Sequence, residues 1–207
     1  MSDKIIIDIW KKKNPEEITK ELANPDSRLE IGSAAAITAA CAAAFAGRAA
    51  SFCEKSERSE YLKRNIEIIR GYMVHLIDED VKSRGPLRQA LKEGEAYKIE
   101  AARETAVCIP AEIVNMVSQL MDFLVELAEI CPAEKLHHLG EAAQLAMACA
   151  ESCRIYIINM AEQSHDDTYR FVTRRENEIT FEILRENFEN ILKKVGNGLD
   201  RSADRKL

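Results

Sequence analysis

The chain is poor in the residues that interrupt helices. It has five prolines and eight glycines in 207 residues. That scarcity argues against many short strands and tight turns, and no segment shows the period-two alternation of a half-buried strand. Basic charge is also short: 29 Lys and Arg against 35 Asp and Glu leave a formal net charge of -6. The balance gives no electrostatic footprint for nucleic acid. The six cysteines lack the density of a disulfide scaffold, so a reduced, cytoplasmic protein is expected. The apolar "KIIIDIW" at 4–10 is too short for a signal peptide and is interrupted by Asp8. No glycine-rich phosphate loop or nucleophile elbow is visible. Cys131, His137 and His138 make no recognised zinc spacing, so no metal is expected, and adjacent His137 and His138 should diverge on a helix. With hydrophobic residues at 46% and charged residues at 31%, the composition is that of a soluble globule, most simply one domain.

What the chain does have is alanine. "EIGSAAAITAACAAAFAGRAASF", residues 30–52, is long enough to test as a membrane span. Alanine adds little transfer energy, no aromatic belt flanks the run, and Arg48, Glu54 and Lys55 close it abruptly. Alanine is also the strongest helix former, and small side chains let neighbouring helices approach closely. The run is therefore expected to be the buried central helix of a soluble bundle, with no membrane partner.

Helical signals cover the rest. "NPEEITKEL" offers Asn14 as N-cap, Pro15 at the first helical position and two glutamates in the first turn. "NPDSRLEIGS" reads as a loop. Ile66, Ile69, Met73, Leu76 and Ile77 recur at helical spacing down to "DED" at 78–80, and "SRGP" at 83–86 breaks that helix. Ile113, Val117, Leu120, Leu124 and Leu127 mark another, whose beginning Pro110 should kink. "CPAEK" starts a further segment. Residues 141–161 form a second small-residue helix, in which Cys149 and Cys153 share a face as small buried side chains. Ile179, Ile183, Phe188, Ile191 and Val195 mark a C-terminal amphipathic helix ended by "GNG", with a frayed tail after it. The expected fold is an all-α, up-and-down bundle of long helices, a single domain over 1–207 with its core at about 15–197.

The order of these features resembles the cyclodeaminase domain of formiminotransferase-cyclodeaminase and the related short bacterial methenyltetrahydrofolate cyclohydrolases. Members have a short first helix, a loop like "SPTPGGGS" and an Ala- and Gly-rich helix; this chain has "ANPDSRLEIGSAAAITAACAAAF". Their "D-x-D-A" element corresponds to "DEDV" at 78–81, and their "VPL" to "CIP" at 108–110. Their "SDAGVAALLA...ALNV" corresponds to "GEAAQLAMAC...IINM", with Glu141 and Asn159 at the matching separation. The chain departs where the glycine run becomes Leu29, Glu30 and Ile31, where the Ser-Asp pair becomes Gly140-Glu141, and where an Asn becomes His137.

The resemblance implies a homodimer acting on a one-carbon unit of tetrahydrofolate, with no tightly bound cofactor. Methenyltetrahydrofolate cyclohydrolase leads, formiminotetrahydrofolate cyclodeaminase is the alternative, and a non-catalytic relative is the third reading. Hydrolysis or ring closure needs a carboxylate to take a proton and a donor to return one. The resemblance assigns that work to Asp78, Asp80 and Glu141. The bland alternatives are a solvated acidic helix end for the first two and a first-turn glutamate for the third. Substrate contacts fall to Gly32, Ser33, Arg48, Lys55 and His137. Ser33 is equally an N-cap, Arg48 equally a solvent-seeking side chain, and Lys55 part of a solvated face with Arg58, Lys63 and Arg64.

Overall fold

The computed structural model describes residues 10–204, with side chains to Gly198; residues 4–9 of the apolar stretch and 205–207 of the tail lie outside the described residues. Seven α-helices follow in order: α1 (Pro15–Leu22), α2 (Ile31–Ala50), α3 (Glu57–Ser83), α4 (Gly85–Glu93), α5 (Ala96–Ile130), α6 (His137–Glu162) and α7 (Asp167–Asp204). Short 3-10 turns, η1 at Trp10–Lys12 and η2 at Ala133–Lys135, precede α1 and α6. Among the described residues the architecture is all-α, as expected.

Local chemistry starts several helices. In α1, Glu17 N–H donates to the Asn14 side chain at 2.9 Å, and Asn14 N–H donates to the Glu17 carboxylate at 3.1 Å. This reciprocal pair follows an Asn, with Pro15 at the first helical position. Ser56 and Ser59 make the equivalent pair at the start of α3. By contrast, α2 has Glu30 at its N-cap with no side-chain cap bond. Its first turn is Ile31, Gly32 and Ser33, so the helix begins inside the stretch read as loop, and Ser33 is an interior residue rather than the cap.

The long helices alternate in direction. Gly47 of α2 lies against Ile66 of α3, while Ser33 bonds Asp80, so α2 and α3 run antiparallel. His138 at the start of α6 stacks on Phe52, while Arg84 packs over Tyr156, so α6 also runs antiparallel to α2. In α7, Arg174 pairs with Glu162 and Arg185 with Glu151, which sets it antiparallel to α6. The core is continuous through α2, α3, α5, α6 and α7, with Leu62, Met73, Val117, Leu124, Ala146 and Leu184 all fully buried.

α2 and α5 are both long and apolar enough to cross a membrane by length and composition. Half of the twenty α2 residues are nevertheless buried between its neighbours, including Ala36, Ala42 and Ala46 at 0% exposure. Its buried face is taken up by helix packing, as expected for a central helix.

Three details differ from the sequence reading. Pro110 lies inside one continuous 35-residue α5 rather than near its beginning. "GNG" does not end α7, which continues to Asp204. Gly198 instead meets Leu136 so closely that an added Cβ would overlap that side chain, so this glycine serves a close approach and not a C-cap. Ile179 and Ile183 face outward at 47% and 50% exposure. The core face of α7 is Phe181, Leu184, Ile191 and Val195, which a long helix with apolar residues on two faces did not distinguish by spacing.

Candidate active site

The three acidic residues at 78–80 point three ways, as steps of about 100° require. Neither Asp78 nor Asp80 forms a solvated helix end. Asp78 is 6% exposed and accepts from Trp10 N–H at 2.7 Å and Lys11 N–H at 3.4 Å, with Lys11 Nζ 3.8 Å away. It fastens η1 to α3. Glu79 faces outward and pairs with Lys82 at 2.6 Å. Its carboxyl is held below the usual range, chiefly by that hydrogen bond.

Asp80 is fully buried at the N-terminus of α2. Its Oδ2 accepts from Ser33 N–H and Ser33 Oγ–H, both at 2.8 Å. Its Oδ1 accepts from Arg84 Nε at 3.2 Å. An acidic side chain near the end of its own helix is thus placed at the start of another, where free N–H groups and the helix dipole favour it. Burial pushes the Asp80 carboxyl above its ordinary value, against the two Ser33 hydrogen bonds and the Arg88 charge. Gly32 is required here because a Cβ would overlap the Asp80 carboxylate. Ser33 is 0% exposed, and Ile77 C=O, 3.2 Å from its Oγ, competes with Asp80 for the single hydroxyl proton.

Around this knot lie residues that the sequence reading did not single out. Arg84 is 2% exposed, pairs with Asp80 and Glu30, and stacks 4.2 Å over the Tyr156 ring. Burial depresses its pKa. Its i,i+4 spacing from Asp80 was the available signal.

The remaining candidates stand at the opposite end of α2. Ser33 and Arg48 are fifteen residues apart, about 22 Å along a helix axis. Arg48 and Lys55 are exposed, and so is His137 at the start of α6. His138, not His137, is the buried histidine, at 8% exposure. It stacks on Phe52 at 5.7 Å and Phe45 at 6.4 Å, and its Nδ1 lies 3.0 Å from Glu141 Oε2. The two histidine rings do not diverge; their centroids are 4.0 Å apart where the chain enters α6 from η2. The Glu141 side chain is 47% exposed. Glu141 and Tyr156 are again about 22 Å apart along α6. The chain therefore brings Gly32, Ser33 and Asp80 together at the start of α2, while Glu141, His137, Arg48 and Lys55 lie toward its other end, and the two sets are not joined.

Other features read plainly. Cys149 and Cys153 are buried, Cys149 donates to Ala146 C=O at 3.1 Å, and burial pushes the Cys149 thiol up to about 12, as befits inert packing residues. Arg58, Lys63 and Arg64 are exposed, with Arg58 paired to Glu126.

No curated protein matches the chain. A solved structure of formiminotetrahydrofolate cyclodeaminase from Thermotoga maritima matches with a TM-score of 0.84 at 18% identity, over 91% of this chain and 98% of that one. The sequence model described as Formiminotransferase-cyclodeaminase matches residues 16–179, and the chain belongs to that family.

Proposed function

We propose that the chain acts on a one-carbon derivative of tetrahydrofolate, and that its reaction is cyclodeamination of formiminotetrahydrofolate. The observation that carries this choice over methenyl hydrolysis is the similarity to the Thermotoga maritima cyclodeaminase along nearly that whole chain. In this reaction one folate nitrogen adds to the formimino carbon, and the resulting intermediate expels ammonia. One proton leaves the attacking nitrogen and one reaches the departing amine. Glu141, partly exposed and hydrogen-bonded to His138, is the group suited to carry that proton. Asp80, fully enclosed, acts by fixing the start of α2. The sequence is addition and elimination, so no resident cofactor is needed.

The separation of the two candidate sets supports a twofold dimer. Cys41, Ala44 and Arg48 of α2 are exposed on one face, and Glu141, Gln144, Ala148 and Ile155 of α6 on another. A twofold axis across the middle of α2 sets the N-terminal end of one copy beside the C-terminal end of the other. Glu141, His137, Arg48 and Lys55 of one copy then lie beside the Ser33–Asp80 end of its partner.

The test supplies formiminotetrahydrofolate and follows the methenyl chromophore together with released ammonia. Both should rise with enzyme. Loss of methenyltetrahydrofolate above its spontaneous rate, with no ammonia from the formimino substrate, would replace this reading with cyclohydrolase. Mixing inactive Ser33→Ala and Glu141→Gln proteins should restore part of the rate if the site is shared between copies. The self-sufficiency of the Ser33–Asp80–Arg84 knot favours one second reading, a non-catalytic relative. No excess rate on either substrate and no folate binding by calorimetry would establish it.

A further inference from the structure

The buried guanidinium of Arg84 is under-used. Its Nε serves Asp80 and its Nη1 serves Glu30, while Nη2 is buried with no hydrogen-bond partner. Arg88 shows the same shortfall one turn on. Its Nη2 donates to Val81 C=O at 3.0 Å, but Nη1 is buried without a hydrogen bond, 3.9 Å from Glu30 Oε1. That distance is beyond a hydrogen bond. Arg28 is near enough for its charge to add to burial in depressing the Arg88 pKa. Two guanidiniums, Arg84 and Arg88, thus face two carboxylates, Glu30 and Asp80, at the start of α2, with the Arg28 charge nearby.

Leaving buried N–H donors unpaired is costly, and a guanidinium fork is matched by a carboxylate that takes two donors at once. Glu30 does not supply that match. Its side chain is 43% exposed, and of the Nη donors it hydrogen-bonds only Nη1 of Arg84. Arg84 itself is fixed by Asp80 on one side and the Tyr156 ring on the other. A rigid, buried fork therefore faces a half-exposed carboxylate that is free to swing out.

We propose that Arg84 and Arg88 form a carboxylate-binding site that Glu30 holds closed, and that a carboxylate of the substrate displaces Glu30. On the folate reading above, on which this identification rests, the carboxylate is that of the glutamate tail. A free dicarboxylate offers the same chemistry from another source. Exchange of one carboxylate for another needs no charge to be created or lost in the buried site. It gains the unpaired donors and releases Glu30 to water.

Calorimetry on the full chain tests this with glutarate and with paired tetrahydrofolate and tetrahydropteroate, which differ by the glutamate. Glu30→Gln should bind glutarate at least tenfold tighter than the parent, and Arg88→Gln, at a partly exposed position, should abolish that gain. In the parent, tetrahydrofolate should bind at least tenfold tighter than tetrahydropteroate. Tighter glutarate binding with no folate binding would keep the site but assign it a free dicarboxylate, and would remove the folate reading. Folate and pteroate binding alike, with glutarate unaffected by Glu30→Gln, would overturn the site while leaving the folate reading standing. If Glu30→Gln fails to fold, the tetrahydrofolate-to-tetrahydropteroate ratio in the parent and in Arg88→Gln decides alone: a ratio unchanged by Arg88→Gln overturns the proposal.

Discussion

The two ends of α2 are built on opposite terms. At its N-terminus, Asp80, Ser33, Arg84 and Gly32 are buried, Asp80 is bonded to both Ser33 and Arg84, and its carboxylate leaves no room for a side chain at Gly32. At its C-terminus, Arg48, Lys55 and His137 are exposed, and Glu141 lies within hydrogen-bond distance of His138. The same helix thus has one end closed by its own chain and one end open to a partner or ligand. Closed polar networks report on stability when broken, because they leave buried groups unpaired. Open ones report on function.

The largest effect is expected from Gly32→Ala. The new methyl group must displace an Asp80 carboxylate fixed by Ser33 and Arg84, so a loss of about 3–5 kcal/mol is expected. A chain of this size should show it as a fall in Tm of roughly 6–20 °C. A Tm within a degree of the parent would mean that the closed end yields, and the contrast would fail.

Ala43→Leu comes next. Ala43 is 1% exposed midway along α2, and overpacking there should cost about 1–3 kcal/mol, read from a denaturant midpoint. An unchanged midpoint would remove α2 from the centre of the bundle.

The third effect is one of slope. Burial raises the Asp80 pKa, so the folded state holds that proton more tightly than the unfolded chain. Its contribution to stability is full at low pH and falls as pH rises from about 4 toward the folded value, by less than about 1.4 kcal/mol per pH unit. Asp80→Asn lacks this group. The stability of the parent relative to Asp80→Asn should therefore decline between pH 4 and 7, and parallel pH profiles would contradict the raised value.

At the open end, Glu141→Gln and Arg48→Gln should change stability by no more than about 0.5 kcal/mol. Glu141→Gln should nevertheless lower turnover of formiminotetrahydrofolate at least tenfold. A large fall in Tm with unchanged rate would reverse the roles of the two ends.

The contrast was only half legible in the sequence. The alanine helices, the Asn14–Glu17 cap and the divergence of Asp78, Glu79 and Asp80 follow from local propensity and helical geometry, and all are present. What the carboxylates bond was hidden, since the Asp80 partner lies 47 residues away and the Asp78 partner 68. The choice between His137 and His138 turned on the exact entry into α6, where one residue changes the facing by about 100°. "GNG" misled because glycine serves both helix ends and close approaches, and only the neighbour, Leu136, tells which. Arg84 followed a readable i,i+4 pattern, but its burial depended on Tyr156, 72 positions later.

The remote hydrogen bond to Ser33 has a consequence for the order in which the chain acquires structure. α2 has no side-chain cap of its own; the acceptor for its Ser33 N–H is made nearly fifty residues later, at the far end of α3. During synthesis the Ser33 N–H therefore lacks this acceptor until α3 has emerged and folded back. The Ser33 amide then belongs to the cooperative unit of the whole bundle. Its hydrogen exchange should occur only on global opening, unlike that of an ordinary first-turn amide, which exchanges by local fraying.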